Sequence, residues 1–216
     1  MHITIIPVKS LMNSKKRLEA YLTLSERRAL VLALLRDVLS AATNSRLSDK
    51  TLLVTPDSEI ISLIQQWNFP KIEFLLEPAE GGINQAVQLA LNWCQSKPIT
   101  SLLIIPADLP LITSETIDEL LKLGNAGCSI IIVPSQRKDG TNAFYQRPPN
   151  NTQIYYGVNS YQKNLEFLSQ KNLTYTIFEN PAFALDIDLK EDIAQLKNLK
   201  LHSTTSEFIK TLELHS

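Results

Sequence analysis

Residues 101–110 read Ser-Leu-Leu-Ile-Ile-Pro-Ala-Asp-Leu-Pro, and they give the clearest indication of the fold class. Residues 102–105 form a continuously apolar run that ends at Pro106, and residues 129–133, Ser-Ile-Ile-Ile-Val, repeat the pattern. A strand without alternating polar residues is buried on both faces, as in a parallel sheet that is covered by helices on either side. The stretch therefore predicts an α/β fold.

Strand and helix patterns alternate on both sides of this stretch. Apolar runs predict strands at 3–8, 51–55, 72–76, 101–105 and 128–133, and helical spacing predicts helices at 25–42, 57–67, 83–94 and 114–123. Such alternation is typical of βαβ units. We expect a mostly parallel, Rossmann-like sheet with helices on both faces, in a single domain of residues 1–216.

The pattern changes in the last third of the chain. Turn signals such as Asp139-Gly140 and Pro148-Pro149 predict an irregular insert at about 135–160, around a possible strand at 142–146. Beyond it we expect a helix at 160–170, a strand at 173–178, an extended piece at 184–188 and a helix at 189–199. Residues 206–214 predict a possible terminal helix.

Composition excludes several classes of function. The chain of 216 residues has 21 Lys plus Arg against 22 Asp plus Glu, so its net charge of −1 gives no positive field for nucleic acid. Its apolar runs are shorter than the roughly 20 residues that cross a bilayer, so we expect no membrane partner. Residues 1–7 show no secretory signal, which predicts a cytoplasmic protein.

Histidine and cysteine content narrow the chemistry further. His2, His202 and His215 lie near the chain ends, and catalytic triads and zinc sites need histidines held by the body of the fold. Cys94 and Cys128 are far apart and predict neither a disulfide framework nor a zinc site. Polar chemistry must then come from carboxylates, cations, backbone amides and a hard metal ion.

The first candidate cluster follows the first strand. Ligands of open α/β sheets bind outside the carboxyl ends of the strands, and residues 7–18 place Lys9, Lys15, Lys16 and Arg17 there. The chain has no glycine before Gly81, which excludes the glycine-rich phosphate loops. The cluster is either a polyphosphate cradle or a solvated basic loop.

Aspartates form the other two clusters. Asp108 directly follows a predicted buried strand and either caps the next turn or binds a divalent metal. Asp186 and Asp188 lie on one side of an extended segment, roughly 7 Å apart, where two like charges repel unless a cation lies between them. Asp192 is expected to be only a residue of a helix N-terminus. The three clusters together predict metal-assisted nucleotide transfer.

Nine short segments of the chain carry a family resemblance. They are Pro7-Val8-Lys9 with Lys15-x-Arg17-Leu18, Ser25-x-Arg27-Arg28, Asp37-Val38, Val54-Thr55-Pro56-Asp57, Gly82-Ile83-Asn84, Pro106-Ala107-Asp108-Leu109-Pro110-Leu111, Gly140-Thr141-Asn142, Tyr156-Gly157-x-x-Ser160 and Leu185-Asp186-Ile187-Asp188. With these segments in this order, the sequence resembles the 2-phospho-L-lactate guanylyltransferase family of coenzyme F420 biosynthesis, whose bacterial members often use phosphoenolpyruvate. The resemblance runs from Ile3 to about Leu196, and it implies a nucleotidyltransferase-type fold similar to that of molybdopterin guanylyltransferases and sugar-phosphate nucleotidyltransferases.

The resemblance also implies a site. It implies that Asp108, Asp186 and Asp188 bind magnesium and that Lys9, Lys15 and Arg17 contact the GTP phosphates. It also implies that Gly82 and Asn84 lie near the nucleoside. Thr141, Gly157 and Ser160 are implied to contact the acceptor phospho-acid. Of all these residues, Lys9, Lys15, Arg17 and Asp108 are the expected catalytic residues. Two hydroxyls and a glycine near a helix entry also suit an anion site, although Gly140-Thr141 can equally be a simple turn.

This sequence departs from the family at the acceptor end. Val158-Asn159 stands where the family has Pro-Gly, and the following family histidine is replaced within residues 162–164, Gln-Lys-Asn. The acceptor is therefore left open among 2-phospho-L-lactate, phosphoenolpyruvate and 3-phosphoglycerate.

We predict a Mg²⁺-dependent guanylyltransferase that joins GMP from GTP to the phosphate of a small phospho-acid and releases pyrophosphate. Its partners are GTP and the phospho-acid, and a homodimer is possible. The alternatives are a nucleotide-sugar-dependent glycosyltransferase, which also uses D-x-D and a metal, and a non-catalytic nucleotide-binding descendant.

Overall fold

A seven-stranded sheet forms the centre of the computed structural model, which describes residues 1–149 and 153–212. The strands lie side by side in the order β3-β2-β1-β4-β6-β5-β7. They are β1 (His2–Pro7), β2 (Lys50–Thr55), β3 (Ile72–Leu76), β4 (Ser101–Ile104), β5 (Ile130–Pro134), β6 (Thr141–Gln146) and β7 (Thr176–Ile177).

Most neighbouring strands are parallel. β1 pairs in parallel with β2 and β4, β2 with β3, and β5 with β7. β6 runs antiparallel to both of its neighbours, β4 and β5. The predicted mostly parallel α/β sheet is confirmed, and all the parallel strands bring their carboxyl ends to one edge.

Helices connect the strands at nearly the predicted places. They are α1 (Leu24–Asn44), α2 (Ser58–Trp67), α3 (Ile83–Gln95), α4 (Ser114–Asn125), α5 (Ser160–Gln170), α6 (Pro181–Ala184), α7 (Lys190–Lys197) and α8 (Thr204–Thr211). α1 starts one residue earlier than predicted because Thr23 caps it. The Thr23 hydroxyl accepts the Glu26 N–H at 3.3 Å, and the Glu26 carboxylate accepts the Thr23 N–H at 2.8 Å, which is a capping box.

Hydrophobic clusters cover the two faces of the sheet. Ile6 and Leu53 pack on one face with side chains of α1, α2 and α4. Ile5 and Leu52 pack on the other face with side chains of α3 and α5. Successive strand residues thus point into different clusters, and burial on both sides explains the continuously apolar runs. A third cluster joins α1 to α7 and α8.

The last third of the chain differs from its prediction in three places. The possible strand at 142–146 is β6, which lies inside the sheet rather than in an irregular insert. The predicted strand 173–178 is much shorter in the structure, where β7 covers Thr176–Ile177 and, within the described residues, pairs with β5 at the edge of the sheet. The predicted extended piece begins with Ala184, which instead ends α6. α8 ends at Thr211, and residues 213–214 of the predicted terminal helix lie outside the described residues.

Within residues 1–149 and 153–212, none of the helices combines the length and the hydropathy that a bilayer span requires.

Candidate functional site

A cleft of about 580 Å³ lies along the edge of the sheet where the parallel strands end. β6 is antiparallel, so its first residue lies at this same edge. The three clusters predicted at strand ends therefore meet in one place. The lining includes these predicted site residues: Lys9, Lys15, Arg17, Gly82, Asp108, Thr141, Gly157, Ser160, Asp186 and Asp188.

Lys15 lies between two of the predicted aspartates. Its Nζ donates to Asp108 Oδ2 at 2.7 Å and to Asp188 Oδ1 at 3.1 Å, and its side chain is only 8% exposed. Burial opposes the charged ammonium, but the two carboxylates outweigh it and hold the pKa of Lys15 above its ordinary value. Lys15 in turn is the main cause of a lowered pKa at Asp188, to which Arg17 also contributes. Lys15 is therefore a buried, permanently charged cation in the cleft.

The backbone brings the aspartates together. The Ile187 N–H donates to the carbonyl oxygen of Asp108 at 3.2 Å, which places the Asp186 to Asp188 segment beside the end of β4. Burial is the largest cause of a raised pKa at Asp186, and together with the neighbouring carboxylates of Asp108 and Asp188 it brings this pKa to about 6. Three carboxylates thus crowd one end of the cleft, as the sequence predicted.

The donor set suits a hard divalent cation. Carboxylate oxygens are ligands that Mg²⁺ prefers. The pKa of Asp186 is raised by burial first and then by the charges of Asp108 and Asp188, and Lys15 offsets this rise only in part. In the described part of the chain, no three carboxylate, histidine or cysteine side chains are already arranged around one metal position. Asp108 and Asp188 are not arranged around a metal position because the ammonium of Lys15 lies between them. The magnesium site formed by the three aspartates stays a prediction. The charge and the oxygen donors of these residues suit Mg²⁺.

Arg137 is a cleft residue that the sequence reasoning missed. Its guanidinium donates to Asp192 Oδ1 at 2.8 Å and lies 3.8 Å from Asp186 Oδ2. Asp192 is buried, and its other oxygen accepts the N–H groups of Asp188 and Leu189, as expected for a helix N-terminus. Nothing local marks Arg137, because its partners lie far along the chain.

Side chains, rather than glycines, shape the cationic loop after β1. The Leu11 N–H donates to Asp57 Oδ2 at 3.0 Å, and buried Arg27 donates to the carbonyl oxygen of Ser14 at 3.2 Å. Ser10 and Asn13 both donate to Glu80 Oε2, which ties this loop to the segment after β3. A loop without glycine is therefore held in place by contacts from three other segments.

The predicted acceptor residues form one hydrogen-bonded unit. The Thr141 N–H donates to Ser160 Oγ at 2.9 Å, and Asn164 Nδ2 donates to Thr141 Oγ1 at 3.0 Å. Thr141 and Ser160 are both buried at the cleft wall, and among the described residues neither hydroxyl hydrogen has an acceptor. Gly157 lies nearby with φ +96°, a conformation that favours glycine. The arrangement leaves two hydroxyl donors for an anion.

Asn84 lies outside the described lining of the cleft. Its Oδ1 accepts the Tyr156 N–H at 2.8 Å and its Nδ2 donates to the Tyr156 carbonyl oxygen at 3.1 Å. The amide of Asn84 therefore fixes the segment that precedes Gly157. Its predicted contact with the nucleoside stays a prediction, and the structure adds a role in positioning the acceptor segment.

Asn84→Ala is expected to lower the free energy of unfolding by about 1–3 kcal/mol, because it removes both hydrogen bonds to the Tyr156 backbone. We also expect the KM of the acceptor to rise more than that of the nucleotide. Chemical denaturation and steady-state titrations measure the two effects. Asn92→Ala, on the exposed side of the same helix, is the control. Unchanged stability together with a raised nucleotide KM would instead favour the nucleoside contact.

Comparison with known proteins adds to this geometry. The model of the family described as guanylyl transferase CofC like matches residues 1–216. The chain is 33% identical over 216 residues to the 2-phospho-L-lactate guanylyltransferase of Methanocaldococcus vulcanius, covering 99% of this chain and 92% of the relative. It is also 33% identical over 195 residues to the phosphoenolpyruvate guanylyltransferase of Sphaerobacter thermophilus, covering 90% and 91%.

Solved structures share the fold at low sequence identity. A Desulfovibrio desulfuricans protein assigned as a nucleotide-diphospho-sugar transferase superposes with a TM-score of 0.77 at 15% identity, over 97% of this chain and 94% of the other. The CMP:2-keto-3-deoxy-manno-octonic acid synthetase complexed with CTP gives a TM-score of 0.61 at 12% identity, over 91% and 96%. The predicted nucleotidyltransferase-type fold is confirmed.

Proposed function

The chain belongs to the family of CofC-like guanylyl transferases, and we propose that it transfers GMP from GTP to the phosphate of 2-phospho-L-lactate or phosphoenolpyruvate. The product is a guanylylated phospho-acid, and the reaction is a step of coenzyme F420 biosynthesis. The observation that carries the proposal is the buried Lys15 among three aspartates, at one end of a cleft whose wall offers two hydroxyl donors.

The cations of the cleft bind the triphosphate. Lys9 and Arg17 are exposed along it and reach the phosphates as solvent-accessible charges, whereas Lys15 is a fixed interior charge. Asp108, Asp186 and Asp188 would hold Mg²⁺, which when bound supplies Lewis-acid stabilisation of charge on the phosphoryl oxygens. Preorganised charges of this kind stabilise the transition state without moving during the reaction.

The residues that contact the acceptor phospho-acid only have to hold it in position, because its phosphate does not need to be deprotonated before it reacts. An oxygen of the acceptor phosphate is already ionised at neutral pH, so it can attack the α-phosphorus of GTP without a general base. The bond between the α-phosphorus and its bridging oxygen breaks, and pyrophosphate leaves with that oxygen. Thr141 and Ser160 donate to the acceptor, and Gly157 allows close approach of the backbone.

Pyrophosphate release from GTP tests the proposal, with 2-phospho-L-lactate, phosphoenolpyruvate and 3-phosphoglycerate supplied in parallel with Mg²⁺. We expect release with at least one acid and none without an acceptor. A glycosyltransferase would transfer sugar without releasing pyrophosphate. Nucleotide binding without turnover on any acid would support the non-catalytic alternative and overturn the proposal.

Thr141→Val is expected to raise the acceptor KM by roughly 10- to 100-fold and to leave GTP binding almost unchanged. One lost hydrogen bond to a charged group costs about 1.5–3 kcal/mol, and about 1.4 kcal/mol corresponds to a factor of ten. Separate titrations of GTP and of the best acceptor measure the effect. Thr51→Val is the matched control, because the buried Thr51 hydroxyl in β2 has no partner among the described residues. A raised GTP KM with an unchanged acceptor KM would reverse the assignment.

A further inference from the structure

Glu77 is a largely buried residue whose carboxylate the proposed mechanism does not use. It follows β3 directly, its backbone N–H donates to the Thr55 carbonyl oxygen at 2.9 Å, and the residue is only 7% exposed. Its side chain lines the cleft. Among the described residues, none donates a hydrogen bond to its carboxylate or forms an ion pair with it. Its oxygens are not among the fully enclosed side-chain atoms that lack a partner, so the carboxylate opens on the cleft, where a donor group of a ligand can reach it.

Glu80 is close by but differs in its contacts. It is exposed, and its Oε2 accepts from Ser10 Oγ at 2.8 Å and from Asn13 Nδ2 at 2.6 Å. Burial raises the pKa of Glu77, and the charge of Glu80 raises it further. Glu80 therefore orders the loop and adds to the negative charge, while the Glu77 carboxylate is left to accept hydrogen bonds from a ligand.

The order of the strands places Glu77 opposite the acceptor. β3 is at one edge of the sheet, while Thr141 starts β6, which lies beyond β2, β1 and β4. Lys9 follows β1 and Asp108 follows β4, so the residues proposed to hold the triphosphate lie between these two ends. With the acceptor and the triphosphate assigned to the part of the edge formed by β6, β4 and β1, the β3 end of the cleft is left for the nucleoside, and Glu77 and Gly82 line that end.

We propose that the Glu77 carboxylate recognises the guanine base by accepting hydrogen bonds from the ring N1–H and the exocyclic 2-amino group. This inference rests on the proposed function, and it identifies Glu77 as the residue that makes the protein select GTP over other nucleotides. Guanine presents two donors side by side on this edge, which match the two oxygens of a carboxylate. Adenine presents an unprotonated ring nitrogen there, which a carboxylate repels, and hypoxanthine lacks the 2-amino donor. The expected order of preference is GTP over ITP over ATP.

Glu77→Gln tests the inference because it keeps the size of the side chain and replaces one acceptor oxygen by a donor. We expect kcat/KM for GTP to fall about 10- to 100-fold, the value for ITP to fall less, and the value for ATP to stay unchanged. The matched control is Glu73→Gln on β3, whose carboxylate pairs with Lys50 outside the cleft lining. Pyrophosphate release with the best acceptor gives the rates, and calorimetric titration with GDP gives binding without turnover.

The turnover and GDP-binding measurements distinguish failure of this inference from failure of the proposed function. If the wild-type protein turns over GTP and Glu77→Gln keeps the wild-type ratios among GTP, ITP and ATP, the inference is wrong and the proposed function stands. If no acid supports turnover, the proposed function fails, and weaker GDP binding by Glu77→Gln than by Glu73→Gln would still support the inference. Equal GDP binding by the two variants, or none by the wild type, would overturn it. A wild-type protein that uses ITP as well as GTP would also overturn the contact with the 2-amino group.

Discussion

Asp108→Asn is expected to give a folded protein whose kcat is reduced about 100-fold or more. Asp108 Oδ2 accepts from Lys15 at 2.7 Å, and the same carboxylate is a proposed Mg²⁺ ligand. An amide keeps the shape of the side chain but loses the negative charge, and a lost metal ligand removes several kcal/mol of charge stabilisation. Steady-state turnover at increasing Mg²⁺ measures the loss, and circular dichroism checks the fold.

Glu166→Gln is the control for this substitution. Glu166 is an exposed carboxylate on α5 and lies outside the cleft lining, so its amide variant should keep wild-type turnover. Near-normal kinetics of Asp108→Asn at saturating Mg²⁺ would contradict the metal assignment. Asp186→Asn, which changes the carboxyl group whose pKa is about 6, should show a loss of similar size.

Lys15→Met is expected to lower kcat by about 100- to 1000-fold, the range seen when a preorganised electrostatic donor is removed. Methionine keeps a long apolar stem in this buried position and removes only the charge. Without the ammonium, Asp108 and Asp188 lose the cation that lies within 3.1 Å of both. Mg²⁺ binding in the absence of nucleotide should therefore become tighter, because a competing positive charge is gone.

Two measurements check this variant. Turnover across a Mg²⁺ titration gives the change in kcat, and calorimetric titration of Mg²⁺ without nucleotide gives the change in metal affinity. Lys122→Met, at an exposed position of α4, is the matched control and should change neither quantity. Full recovery of kcat at high Mg²⁺ would mean that Lys15 only balances the aspartates and takes no part in binding the phosphates.

The sheet and its ligand-binding edge were predictable because their signals are local. Apolar runs such as 102–105 reflect burial on both faces, and the polar residues that follow parallel strands must come to one edge. Asp108, Lys9 and Lys15 could therefore be assigned to one cleft from their places after strands. The resemblance to guanylyltransferases added the identity of the reaction class, which no periodicity carries.

Local patterns in the sequence were enough to predict the alternation of strands and helices, the edge of the sheet at which ligands bind, and the family. The position of β6 between β4 and β5 could be seen only in the folded protein, because strands pair through backbone groups that every sequence has. The tertiary structure also decided that Lys15 stands between Asp108 and Asp188, which are 93 and 173 residues away along the chain. The place of Glu77, whose carboxylate has no partner among the described residues, and the contacts of the Asn84 amide with Tyr156 also depend on tertiary packing. Hydrogen bonds and burial at such separations depend on how distant segments pack, and a local pattern contains no record of that packing.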